Sequence, residues 1–135
     1  MRLSKKIVRG CLALTLSLGA GVVAATPASA EVETRIDVGL TVWEDGYVKG
    51  SGSFSNGSGA YGDICVKLRG FLIDGGVRSS IACNWGRKGT SMTFSAPDLK
   101  CGFGDSGSYD TVVTAYDADL NYIESKVSNR IFACN

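Results

Sequence analysis

The strongest fold signal in the chain is the stretch from residue 63 to residue 85, D-I-C-V-K-L-R-G-F-L-I-D-G-G-V-R-S-S-I-A-C-N-W. Two segments rich in apolar and β-branched residues, at about 63–72 and 77–85, flank the tripeptide Asp74-Gly75-Gly76. Glycine is typical of tight turns because it adopts positive φ at no steric cost. The pattern therefore predicts an antiparallel β-hairpin that reverses at residues 74–76.

This hairpin also predicts a disulfide. Cys65 and Cys83 lie nine residues either side of Asp74, and Cβ atoms that face each other across an antiparallel pair are about 4.5–5.5 Å apart, close to what a disulfide needs. Among the four cysteines that follow residue 30, elimination then pairs Cys101 with Cys134. Spacing alone leaves the other two pairings open. A zinc site, the rival interpretation, needs closer pairs such as C-x-x-C and is helped by histidine.

Strand signals continue on both sides of the hairpin. Ile36, Val38, Leu40 and Val42 alternate with polar or small residues, which is the period of a half-buried strand. About seven short strands without an amphipathic helix predict an all-β domain, a small antiparallel β-sandwich of the immunoglobulin-like type with two disulfides. A small β-barrel is the alternative. The further strands are predicted at about 35–43, 48–54, 90–95, 109–116 and 122–133.

Residues 1–30 have the pattern of a cleavable signal peptide. A basic start is followed by an apolar run at 11–25, and Ala28-Ser29-Ala30 supplies the small residues that cleavage requires. The run is shorter than the roughly twenty residues of a membrane span. We therefore expect a secreted protein with one disulfide-linked domain at 31–135, because disulfides form in oxidising compartments.

Removal of this leader changes the charge of the protein. Four of the 14 Lys and Arg residues lie before residue 10, so the rest of the chain keeps 10 of them against 13 Asp and Glu, a net charge of −3. A nucleic-acid-binding domain normally carries a basic patch or stripe. We therefore expect neither nucleic acid nor, after leader cleavage, a membrane as a partner.

The chain contains no histidine. This excludes Ser-His-Asp and Cys-His catalysis and removes the commonest metal ligand. Paired carboxylates remain conceivable for glycoside hydrolysis, but nearly all the candidate acids lie at turn signals, where turn formation explains them better. We therefore expect a protein that is not an enzyme and that carries no cofactor or metal.

Two short motifs have both a functional and a structural interpretation. Asp117-x-Asp119-x-Asn121 copies the opening of a calcium loop, but the glycine and the glutamate expected later are absent. A polar hairpin turn is the favoured interpretation, and calcium binding stays open. Asn56-Gly57-Ser58 fits the glycosylation triplet and is equally common as loop composition.

Several aromatic residues fall outside the predicted buried faces. If the strand at 35–43 buries its aliphatic residues, Trp43 points outward, and a three-residue turn would place it opposite Tyr47. Aromatic residues and arginine are the usual anchors of protein interfaces. The candidate binding residues, with packing at the rim of the core as their alternative role, are Trp43, Tyr47, Tyr61, Trp85 and Arg87.

The leader, the length, the four paired cysteines and the strand content together resemble small exported bacterial β-rich proteins, including the adaptor component of secreted umbrella toxin particles. In those particles a small exported protein bridges a lectin-like subunit and a large toxin-bearing chain. The resemblance implies a role as adaptor in an extracellular antibacterial toxin complex. It rests on no diagnostic motif, so it implies no particular binding residues.

The sequence thus favours a secreted, non-catalytic module whose partner is another secreted protein. The alternatives are an inhibitor of an extracellular enzyme and a carbohydrate- or cell-wall-binding module that uses Trp43, Tyr47 and Trp85.

Overall fold

The computed structural model describes residues 31–135, and every regular element in this range is a β-strand. The expected signal peptide lies outside the described residues. In the described range no helix has the length and apolar character needed to cross a membrane. The strands are β1 (Arg35–Val38), β2 (Val42–Glu44), β3 (Tyr47–Lys49), β4 (Ser51–Asn56), β5 (Asp63–Leu72), β6 (Val77–Trp85), β7 (Thr90–Ser95), β8 (Leu99–Lys100), β9 (Gly107–Tyr116), β10 (Tyr122–Val127) and β11 (Ile131–Ala133).

The strands form three antiparallel sheets. The largest has the order β10-β9-β5-β6, and β11 pairs with β9 next to β10. A three-stranded sheet, β1-β4-β7, packs over it, and a small third sheet has the order β2-β3-β8. The fold is a small β-sandwich and not a closed barrel, which confirms the predicted class.

The core lies between the largest sheet and β1-β4-β7. One face of β5 contributes Ile64, Val66 and Leu68, which are fully buried against residues of β1, β4 and β9. At Gly52 the two layers come so close that an added Cβ would lie 2.3 Å from Cγ2 of Val113. The glycine that weakens β4 as a strand is therefore the residue that lets β4 pack on the large sheet.

The predicted strand at 35–43 is in fact two strands in different sheets. β1 ends at Val38 and β2 begins at Val42, so the alternation does not continue, and Leu40 and Val42 are exposed instead of buried. Thr41 is buried between them, and its hydroxyl forms a 2.6 Å hydrogen bond with Oγ1 of Thr111. The prediction of one continuous strand at 35–43 was wrong because the chain passes from one sheet to another between β1 and β2. The predicted strand at 48–54 divides in the same way into β3 and β4.

The last predicted strand is also divided, at residues 128–130. The side chain of Asn129 accepts the backbone N–H of Thr41 at 3.0 Å, and Ser128 Oγ accepts the backbone N–H of Thr111 at 2.8 Å. The interruption therefore binds the crossover between β1 and β2 to the large sheet.

Both predicted disulfides are present. Cys65 and Cys83 are partners in the β5–β6 ladder with Cα atoms 4.0 Å apart, and the Cα atoms of Cys101 and Cys134 are 5.2 Å apart. Two disulfides indicate that the domain forms in an oxidising environment.

Candidate binding surface

The large sheet covers the core with one face and leaves the other face open. Since side chains alternate along a strand, the register of β5, β6, β9, β10 and β11 decides which of them share this open side. Within residues 31–135, no other segment forms a second layer over it. We call it the outer face, and its exposed large apolar residues are Phe71, Val77, Ile81, Trp85, Tyr122, Val127 and Phe132.

A charged cluster lies at one end of the outer face. Asp110 on β9 is opposite Arg69 on β5, and its side chain is only 1% exposed. Arg69 donates from Nε to Oδ1 at 2.7 Å and from Nη2 to Oδ2 at 2.9 Å. Arg130, from the segment between β10 and β11, donates from Nη2 to Oδ2 at 2.8 Å. One carboxylate therefore orders two guanidinium groups.

Both guanidinium groups of this cluster also lie over the ring of Phe71. The Cζ atoms of Arg69 and Arg130 are 5.5 and 5.0 Å from the ring centroid, within the range of a cation–π contact. Lys67 lies on the same face, two residues before Arg69 on β5, and adds a further positive charge to it. The arrangement leaves a positively charged, partly apolar surface on a domain whose net charge is negative.

The carboxylate of Asp110 is held in its ionised form. Burial by itself raises the pKa of Asp110, but the hydrogen bonds and charges of Arg69 and Arg130 outweigh burial and hold the pKa below its usual value. A carboxyl group whose pKa is lower in the folded than in the unfolded state stabilises the fold above its unfolded pKa. That contribution disappears as the pH falls through the folded-state pKa.

We therefore expect Asp110→Asn to lower the free energy of unfolding at pH 7 by about 1–2 kcal/mol, since the partly exposed arginines are screened by solvent. The difference from the unchanged protein should shrink below about pH 4, where the carboxyl of the unfolded chain binds a proton. Urea denaturation at pH 7 and pH 3 measures the loss of unfolding free energy and its decrease at low pH. Asp37→Asn is the control, because its ion pairs with Lys126 and Arg35 are exposed and should contribute under about 0.5 kcal/mol. If both variants lost the same unfolding free energy at pH 7, the ion pairs of Asp110 would not have the stabilising role given to them here.

The predicted aromatic pair of Trp43 and Tyr47 is not formed. The turn between β2 and β3 has two residues, Asp45 and Gly46, both with positive φ, and it pairs Glu44 with Tyr47 and Trp43 with Val48. Because directly paired residues point to the same side, the two aromatic rings lie on opposite faces of the hairpin. The expectation of a three-residue turn was wrong.

Tyr61 is not available as a binding residue. Its side chain is 3% exposed, and its hydroxyl donates to Oε1 of Glu124. Burial raises the pKa of the Tyr61 phenol, and the hydrogen bond to Glu124 raises it further. The residue belongs to the core, because its loop folds inward over Asn56.

Trp85 and Arg87 do lie together, at the open edge between the two main sheets. Both contribute to a cleft of about 430 Å³, and the indole of Trp85 is 60% exposed. Polar side chains form part of the remaining wall. The other lining residues are Phe54, Asn84, Thr90, Ser91 and Met92.

The acidic segment after β9 forms the turn favoured by the sequence. Oδ1 of Asp117 accepts the backbone N–H groups of Asp119 and Asn121 at 2.9 and 2.8 Å. The backbone hydrogen bond from Asn121 is the main cause that lowers the pKa of Asp117. Turn formation therefore accounts for these residues.

Asp63 lies beside the disulfide that joins β5 and β6. This trio offers no free thiolate to a metal, since both sulfur atoms are bonded to each other. The cysteines are structural, as the sequence predicts.

The sequence reasoning missed Phe71, Arg69, Asp110 and Arg130. For Phe71 and Arg69 the sequence did contain a signal of outward orientation. Ile64, Val66 and Leu68 alternate with residues that must point outward, and Phe71 continues that outward series. Asp110 and Arg130 carry no such signal, because only the β5–β9 register brings them to Arg69.

Comparisons of the chain with protein-family models, with curated proteins and with solved structures found no match.

Proposed function

We propose that the protein is a secreted, non-catalytic module that binds another secreted protein through the outer face. The observation that carries the proposal is the open side of the large sheet, where exposed apolar side chains surround the two arginines ordered by Asp110. Arginine and aromatic residues dominate the binding energy of protein interfaces. Arginines that are already ordered lose less conformational entropy when a partner binds.

Within this class the proposed role is that of an adaptor subunit in an extracellular antibacterial toxin complex. The support is the resemblance of leader, size, cysteines and strand content to umbrella-particle adaptors. The absence of histidine supports a non-catalytic role. An adaptor must hold two proteins at once, whereas an inhibitor lowers the activity of one bound enzyme, so identification of the partners separates the two roles.

The experiment is affinity purification from the native culture supernatant followed by measurement of the affinity for the recovered protein. We expect Val127→Ala/Phe132→Ala to weaken binding by about tenfold to a hundredfold, because two exposed apolar contacts are removed from the outer face. Both residues are exposed on the outer face, so the variant should fold normally.

Leu40→Ala/Phe103→Ala is the matched control for this experiment, since it removes one aliphatic and one aromatic side chain that are even more exposed and lie outside the outer face. It should bind as the unchanged protein does. If both double variants bind with unchanged affinity, the outer face is not the binding surface.

Carbohydrate binding is the second candidate function. It is favoured by the exposed indole of Trp85 beside the cleft, whose wall includes Asn84, Thr90 and Ser91. An aromatic face next to hydrogen-bonding side chains is suited to stack on a sugar ring. Depletion of the protein by insoluble cell-wall polysaccharide, with loss of depletion in Trp85→Ala, would favour this function over protein binding.

A further inference from the structure

Strand β6 lies at the edge of the large sheet, and its hydrogen-bonding pattern decides which backbone groups face outward. The N–H of Leu72 donates to the C=O of Gly76 at 2.9 Å, and the N–H of Gly86 donates to the C=O of Gly62 at 3.1 Å. Both pairs are in the β5–β6 register, so even-numbered residues form the hydrogen-bonded pairs of this ladder. The odd-numbered residues of β6 therefore direct their N–H and C=O groups to the open edge; they are Val77, Ser79, Ile81, Cys83 and Trp85.

Apart from one charged side chain, that of Arg78, this edge lacks the usual protection against strand pairing. Within residues 31–135, no backbone hydrogen bond from outside the ladder reaches those groups. Proteins normally protect an edge strand with lysine, proline, a bulge or a short length. β6 is nine residues long and contains neither lysine nor proline. The side chains of Val77 and Ile81 are 70% and 55% exposed.

The charge on β6 does not oppose self-association. Arg78 is its only charged residue. The guanidinium of Arg78 is bound by the carboxylate of Asp105 at 2.7 Å and donates to the C=O of Lys100 at 2.9 Å. Two copies of this strand therefore approach each other without an unpaired like charge.

We propose that a second copy of this chain pairs with β6, strand to strand and antiparallel, about a two-fold axis at Ile81. Ile81 is the middle residue of the strand, so this register uses its whole length. It places Ile81 opposite Ile81 of the second copy and Val77 opposite Trp85 of the second copy. Apolar side chains then face apolar side chains on the outer face, and Arg78 faces the neutral Asn84.

This register pairs odd-numbered residues with odd-numbered residues, and these are the residues whose N–H and C=O groups face the open edge. Each odd-numbered pair therefore exchanges the two backbone hydrogen bonds that the edge leaves unmade. A two-fold arrangement also ends at the dimer, because both copies use their β6 edge in the pairing. The two large sheets become one continuous sheet, and their outer faces lie side by side.

The test is sedimentation equilibrium of the protein produced with its leader and recovered from an oxidising compartment. We expect a concentration-dependent mass that rises to twice that of the mature chain. Ile81→Lys should give a monomer, since an edge lysine opposes itself across the axis. Ser79→Pro should do the same while keeping the fold, because the N–H that it removes points away from β5.

Leu40→Lys is the matched control, because it adds the same charge at an exposed aliphatic residue whose neighbour, Thr41, is bound to Asn129 on the far side of the large sheet from β6. It should dimerise like the unchanged protein. A monomer at every concentration, or a dimer that survives both Ile81→Lys and Ser79→Pro, overturns the proposal.

Amide hydrogen exchange gives a second measurement that needs no substitution. The N–H groups of Ser80 and Ala82 should be protected at all concentrations, because the β5–β6 ladder uses them. Those of Ser79, Ile81 and Cys83 should gain protection only as the protein concentration rises. Fast exchange of these three groups at high concentration would contradict the pairing. Val127 and Phe132 lie at the opposite edge, so this outcome is independent of the proposed partner binding.

Discussion

Replacing Cys101 and Cys134 together by alanine should lower the free energy of unfolding by about 3–4 kcal/mol. The bridge spans 33 residues, and closing a loop of that size removes a corresponding amount of conformational entropy from the unfolded chain. It also holds the short strand β11 near the C-terminus, whose three residues pair with β9. Urea denaturation of the purified double variant measures the loss.

The two bridges differ in which strands should lose amide protection when the bridge is removed. Without it, amide protection should be lost first in β11, while β5 and β6 stay protected. Cys65→Ala/Cys83→Ala is the matched control, since it removes a bridge of 18 residues from a hairpin already held by a nine-pair ladder. Its expected cost is about 3 kcal/mol by the same arithmetic, with β11 still protected. A cost below about 1 kcal/mol for the first variant would show that the bridge does not hold the C-terminal strand.

The hairpin formed by β5 and β6 could be predicted from the sequence to the residue. Three independent signals agree there. The apolar segments have strand length, Asp74-Gly75-Gly76 turns the chain, and Cys65 and Cys83 are placed for a bridge. Agreement between local and long-range signals is what makes a segment predictable.

The division of the first and last predicted strands could not be predicted in this way. The alternation of apolar residues runs through Leu40 and Val42 without a break. What ends β1 is the burial of Thr41, whose backbone N–H is accepted by a residue 88 positions away, Asn129. Local periodicity carries no information about a partner at that distance, so the sheet switch is visible only in the structure.

The candidate site was harder to predict than the fold for the same reason. Trp85 and Arg87 are close in sequence, and both line the same cleft. The cluster at Asp110 joins residues 41 and 20 positions away. Its assembly depends on the pairing of β5 with β9 and on the break before β11, neither of which a strand pattern specifies.

Asn56→Ala should lower the free energy of unfolding by about 3 kcal/mol, because it leaves several buried backbone groups without partners. The Asn56 side chain is fully buried at the end of β4. Its Nδ2 donates to the C=O of Tyr61 at 2.9 Å and to that of Gly86 at 2.8 Å, and its Oδ1 accepts the N–H of Tyr61 at 3.2 Å. One amide thus binds the inward loop at 57–62 to the corner that follows Trp85. Because its side chain is buried, Asn56 is not accessible for glycosylation in the folded protein.

Thermal and urea denaturation of Asn56→Ala measure the effect, and Asn84→Ala is the control. The Asn84 amide is only partly buried and donates at 3.5 Å to the sulfur of Met92, a weak acceptor, so its loss should cost under about 0.5 kcal/mol. Asn56→Asp tests the direction of the hydrogen bonds. A carboxylate there faces two carbonyl oxygens in a buried site, so the variant should be less stable at pH 7 than at pH 4, where a proton restores one donor. An Asn56→Asp variant whose stability does not change between these pH values would show that the Asn56 donors do not hold the corner. Because that corner carries Trp85 and Arg87, its loosening should also alter the cleft, which links the buried amide to the exposed site.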